Sequence, residues 1–276
     1  MRFSKIHELG NDYVLFDGRD VDPVDWSVFC RRVCDRRTGV GADGVLFLLR
    51  SAVADVRMRL FDPDGCEVKT VGGGIRAFAR YVFAYGVVRG TEFSVETASG
   101  VVRPRILLKN GRVDAVRFDM GVPVIDAKDI PVALDGQAIN RLLTVEERSF
   151  PFTAVRVGTP HAVVFDDAAN DTDVAHYGSL IERDPLFPEG VSVNFAEVLS
   201  NGRIRIRTWK RGVGSVPASA SGACAAAVAC ALSGKTDRIV SVESERGSVL
   251  VEWSETDGHM RLTGPAEFSF SGNWNN

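Results

Sequence analysis

Short apolar runs, cut by glycine, proline or charge every few residues, dominate the chain and read mostly as strands. LGNDYVLFD (9–17) enters one such run, GVLFLL (44–49) is a second, and MRLFD, ending at Asp62, is a third. VGGGIRAFAR (71–80) changes period, with glycines followed by alanine and larger apolar residues at helical spacing. FSVETASGVVR (93–103) then reads as an extended run with a glycine-containing turn.

The same series recurs 148 residues later. VGTPHAVVF (157–165) lies over LGNDYVLFD, SVNFAE (192–197) over GVLFLL, and IRTWK, ending at Lys210, over MRLFD. SASGACAAAV (219–228) lies over VGGGIRAFAR, and VSVESERGSVLVE (240–252) resembles the first hairpin. Four matches at one offset, with the hairpin resemblance one residue off it, predict an internal repeat. The expected fold is α+β, with two homologous, pseudo-symmetric domains and a ligand cleft between them. One domain is expected over 1–119, with about 264–276 returning to it, and the other over 120–263.

Composition narrows the function. With 276 residues, 45% of them hydrophobic, the chain can bury a sizeable core, which excludes a disordered or fibrous protein. No apolar run reaches the roughly 18 residues of a membrane helix, and MRFSKIHELGND lacks the apolar core of a signal peptide. A cytoplasmic location is therefore expected. The net charge of -3 and the lack of a basic stripe speak against nucleic acid. The expected partners are a small carboxylate and, in a homodimer, a second copy of the chain. Five cysteines, Cys30, Cys34, Cys66, Cys224 and Cys230, read as thiols, and no cofactor or metal is expected.

Chemistry concentrates at two equivalent helix starts, Gly72-Gly73-Gly74 and Ala220-Ser221-Gly222. Each would present backbone N–H groups and a positive dipole end to an anion, so two facing starts would clamp one carboxylate. The competing reading is that the glycines serve only tight turns and close packing.

The motifs KIHELGNDYVLFD, CDRRTGVGADGVL, DGCEVKTVGGGIRAFARY, VETASG, VGTPHAVVF, SVNFAEV and KRGVGSVPASASGACAAAVA resemble, in order, those of the diaminopimelate epimerase family. The resemblance implies a pseudo-symmetric two-domain fold that works without pyridoxal phosphate and binds an amino acid between its halves. It further implies that Asn11, Asn194 and Arg211 hold the substrate, the arginine through a carboxylate, and that His161 is retained.

The family's reaction passes a proton between two cysteines, one from each half. Their positions here are Val71 and Ser219. The family's asparagines are replaced by Asp62, Gly73 and Thr159, and a glutamate by Lys210. Asp62 and Lys210 are repeat partners, expected to face one another across the cleft as a catalytic pair or as a structural ion pair. Lys210, taken as partly desolvated, Asp62, His161 and Ser219 are the candidate catalytic residues. One expectation is an enzyme with replaced machinery, isomerising or rearranging a small amino-acid-derived acid by acid-base chemistry. The other is a catalytically inactive homologue that binds an amino acid or a partner protein.

Overall fold

A computed structural model of the chain describes residues 1–20, 25–68, 73–170 and 172–275. Val71 and Gly72 lie outside the described residues. In chain order the elements begin with β1 (Arg2–Glu8), β2 (Asn11–Asp17), α1 (Trp26–Cys34), β3 (Gly44–Leu49), β4 (Val56–Phe61) and α2 (Ile75–Ala84). Next come β5 (Val95–Thr97), β6 (Gly100–Val102), β7 (Arg105–Lys109) and β8 (Arg112–Asp119). A 3₁₀ turn (Ala127–Asp129) precedes β9 (Arg141–Val145), β10 (Arg148–Val157), β11 (Thr159–Phe165) and α3 (Val174–Glu182). The chain continues through β12 (Ser192–Ser200), β13 (Arg203–Lys210), β14 (Gly214–Val216), α4 (Ala220–Leu232), β15 (Ile239–Ser244), β16 (Gly247–Trp253), β17 (Met260–Gly264) and β18 (Glu267–Asn273).

Two compact units result, one of residues 1–119 and 263–276, the other of 120–262. In the first, the main strand order is β18-β1-β2-β3-β4-β5-β6. In the second, β9-β10-β11-β12-β13-β15-β16 follows the same plan. In each unit the third strand runs parallel to the fourth, and across the third, fourth and fifth strands the register repeats residue for residue. Tyr13 pairs with Gly44 and His161 with Ser192, while Val45 pairs with Phe61 and Val193 with Trp209. The fold is α+β and internally repeated.

The helices α1 and α3, which the matched segments did not include, obey the same offset. Each opens on an aspartate, Asp25 or Asp173, whose side chain accepts an N–H from the first turn at 3.0 Å. The apolar positions face inward. Cys30, Val33 and Cys34 of α1 pack with Phe16, Phe47 and Phe61 of the first sheet. In the second unit Val174 and Ile181 of α3 pack with Phe150, Phe152 and Phe195. Burial pushes the Cys34 thiol up to about 12, so it stays protonated in the core. Cys30, also buried, is raised as well.

Candidate half-sites and family membership

Each unit builds a small constellation where its parallel strand pair meets a glycine-opened helix. In the first, Asn11 at the start of β2 donates its Nδ2–H to the Tyr13 hydroxyl at 2.6 Å. Tyr13 is buried, and burial, followed by the nearby Glu8 carboxylate, raises its phenol well above the usual value. A Cβ placed on Gly73 would stand 2.9 Å from this hydroxyl oxygen. Gly74 adopts φ +78°, a left-handed conformation that glycine reaches at little cost, and starts α2 against the Leu46 side chain.

In the second unit the equivalent positions are Thr159, His161, Ser221, Gly222 and Asn194. Thr208 Oγ1 donates to Asn194 Oδ1 at 3.0 Å, and Asn194 Nδ2 donates to His161 Nδ1 at 3.1 Å. His161 Nε2 lies 3.3 Å from Thr159 Oγ1. A Cβ on Gly222 would collide with Asn194 Oδ1, so only glycine admits this approach. Burial, then the charges of Arg211 and Lys210, pushes the His161 imidazolium down to about 3, and the ring is neutral.

Several expectations need correction. His161 is 1% exposed, buried rather than at the surface, and each of its ring nitrogens has a partner inside its own unit. Lys210 is exposed rather than partly desolvated, because it ends β13 opposite Gly214 in the tight β13–β14 hairpin. Ser219 is the N-cap of α4, and its Oγ accepts the Gly222 N–H at 3.1 Å. The Gly222 amide is therefore taken. At the other helix start Glu8 Oε1 already accepts the Ala77 N–H at 2.8 Å, an anion supplied by the protein itself. The anion-clamp reading loses one of its expected donors, the Gly222 N–H, to an internal partner.

Arg211 donates Nη1 to the Glu189 and Gly190 carbonyls at 2.7 and 3.2 Å, and its N–H to Ser192 Oγ at 3.1 Å. Glu182, from the end of α3, holds the same turn through Trp209 Nε1 at 2.5 Å and the Gly212 N–H at 3.0 Å. Asp62 is tied into its own loop, where its Oδ1 accepts the Cys66 N–H at 2.8 Å. Ala220 and Ser221 form the first turn of α4, and the Ser221 hydroxyl lies 3.4 Å from that of Ser219. Tyr13, Thr208 and Glu182 were not singled out in the sequence. The repeat could have found Tyr13, which stands 148 residues before His161.

Solved structures share this architecture. A phenazine biosynthesis protein of the PhzF family from Bacillus anthracis superposes with a TM-score of 0.72 at 15% identity, covering 99% of this chain and 98% of that one. A hydroxyproline epimerase from Agrobacterium vitis gives 0.70 at 16% identity, covering 99% and 90%. The repeated α+β plan is thus a fold shared with these solved structures. The diaminopimelate epimerase family profile matches residues 3–125 and 153–269. Diaminopimelate epimerases of Desulforudis audaxviator and Moorella thermoacetica are 46% and 43% identical to it, each over 99% of both chains. The chain belongs to the diaminopimelate epimerase family, and is an epimerase-like member of that class.

Proposed function

We propose that the chain is an isomerase-type enzyme of this family that has exchanged the two-thiol proton relay for other acid-base groups. Its substrate in this reading is a small amino-acid-derived acid carrying a second carboxylate or a keto group where the family's substrates carry an ammonium. The observation that carries the reading is the state of Ser219. The hydroxyl at the thiol position is used to cap α4, and an unactivated hydroxyl is in any case far too weak a base to take an α-proton. Valine at position 71 has no proton to transfer.

Charge supports the change of substrate. Lys210 places a cation where the family has a glutamate, so it would repel an ammonium and attract a carboxylate or polarise a carbonyl. In this reading the Asp62 carboxylate takes the proton from the carbon beside the carbonyl while the Lys210 ammonium gives one to the carbonyl oxygen, and the resulting enol returns by the reverse transfers, carbon regaining its proton from Asp62 and Lys210 recovering its own. Arg211, Asn11 and Thr159 orient the acid.

The test is deuterium uptake in D₂O, followed by NMR, for a series of 2-oxo dicarboxylic acids of four to seven carbons. Uptake that Lys210→Met lowers by about 10²- to 10⁴-fold, the usual contribution of a positioned proton-transfer group, is the expected result. Uptake that Lys210→Met leaves unchanged refutes the assigned role, and no uptake with any acid favours a homologue that only binds.

A further inference from the structure

We infer that His161 is a positioning residue that fixes Thr159 as a hydrogen-bond donor, so that this half-site selects an oxygen acceptor, a keto or carboxylate oxygen, over an ammonium. The inference rests on the reading above that the second unit contributes to binding a small acid.

The argument is one of hydrogen-bond polarity. Thr208 gives its hydroxyl hydrogen to Asn194 Oδ1, which sets the amide with Nδ2 toward His161. The His161 Nδ1 must then accept. A neutral imidazole carries one N–H, so that hydrogen is on Nε2 and points at Thr159 Oγ1. Thr159 receives this bond, which leaves its own hydroxyl hydrogen to be given away. The alternative tautomer would need the Asn194 amide to flip, so that the Thr208 hydroxyl accepts from the amide and its own hydrogen loses Oδ1 as acceptor. His161 and Asn194 are 1% and 0% exposed, so no solvent is at hand to compensate such a flip.

The other half-site does not have this polarity. At the positions equivalent to Asn194 and Thr208 it carries Leu46 and Leu60. Asn11 there gives one Nδ2–H to Tyr13 and keeps both a second N–H and the Oδ1 acceptor, so it offers either polarity. The two halves of one repeat therefore differ in what they offer a ligand. Thr159 stands half-buried at the start of β11, in the same unit as Lys210 and Arg211, whose charges both act on His161. A donor held by a histidine that feels two cations suits an anionic or carbonyl oxygen.

Two measurements test this. Nitrogen-15 NMR of histidine-labelled protein should show His161 as a single neutral tautomer protonated on Nε2 from pH 5 to 8, a range chosen around the ordinary imidazole value of about 6.5. Calorimetric titration should use 2-oxoadipate and L-2-aminoadipate, which differ in the keto and amino groups. The wild type should prefer 2-oxoadipate, and Thr159→Val should lose about tenfold of that preference, the worth of one hydrogen bond. Thr159→Ser should keep the preference. An Nδ1–H tautomer, or a preference unchanged in Thr159→Val, overturns the inference while leaving the small-acid reading in place. Failure of the wild type to bind either acid overturns both.

Discussion

A Cβ on Gly73 would stand 2.9 Å from the Tyr13 hydroxyl, the same oxygen that accepts the Asn11 amide at 2.6 Å. The phenol thus occupies the space where the family's asparagine side chain would begin. Gly73→Asn in the wild-type background should cost about 1–3 kcal/mol through overpacking, read as a lowered melting temperature. Tyr13→Phe should cost about 1 kcal/mol for the lost hydrogen bond, and adding Gly73→Asn to it should cost less than in the wild type. Equal costs in both backgrounds would show that the hydroxyl and residue 73 do not compete for space.

Ser219 should behave as a cap. Ser219→Ala should lower stability by about 0.5–2 kcal/mol, because the Gly222 N–H loses its acceptor, whereas Ser219→Asp should retain most of it. Thermal melts of the two variants decide the matter. An alanine variant as stable as the wild type would mean that the hydroxyl is not needed at the helix start.

The buried His161 predicts an acid limb in stability. Above pH 6.5 the imidazole is neutral in both the folded and the unfolded chain, and it contributes no pH dependence. Below 6.5 the unfolded chain takes up a proton that the folded chain refuses until about pH 3. Stability therefore falls as pH falls through this window, by up to about 1.4 kcal/mol per pH unit from this residue. Urea titrations from pH 7 to 4 should show a shallower decline in His161→Gln, and parallel declines would contradict the assignment.

Beneath α2, Arg76 and Glu8 form an ion pair at 3.1 Å with side chains only 4% and 2% exposed. Removing one partner strands a buried charge, so Arg76→Met should cost about 3–5 kcal/mol. Arg76→Met combined with Glu8→Gln should recover part of the loss. A double variant no better than the single one would remove the pair from the account.

The repeat was legible because strand ends and glycines keep their spacing, as Gly10 and Gly158 show ahead of β2 and β11. The helices α1 and α3 were not matched, since WSVFCRRVC and VAHYGSLIE share little beyond length and only the Asp25 and Asp173 caps link them. Residue types at the half-sites were visible, but their roles depended on burial. PHAVVF does not reveal that its histidine lies 1% exposed beneath a helix start, nor does KRGV reveal that its lysine projects from a hairpin. The identity of Ser219 as a cap was missed for a related reason. A serine immediately before a helix, three residues ahead of a glycine, can bond the backbone or a ligand, and only the geometry of the first turn distinguishes them.

The proposed replacement of the thiol pair is tested most directly by solvent deuterium exchange at the α-carbons of diaminopimelate, with and without prior alkylation of the protein. No exchange above the uncatalysed rate is predicted, and alkylation should change nothing, since the proposed function puts Val71 and Ser219 at the positions of the two thiols. Catalysed exchange that alkylation abolishes would contradict the account.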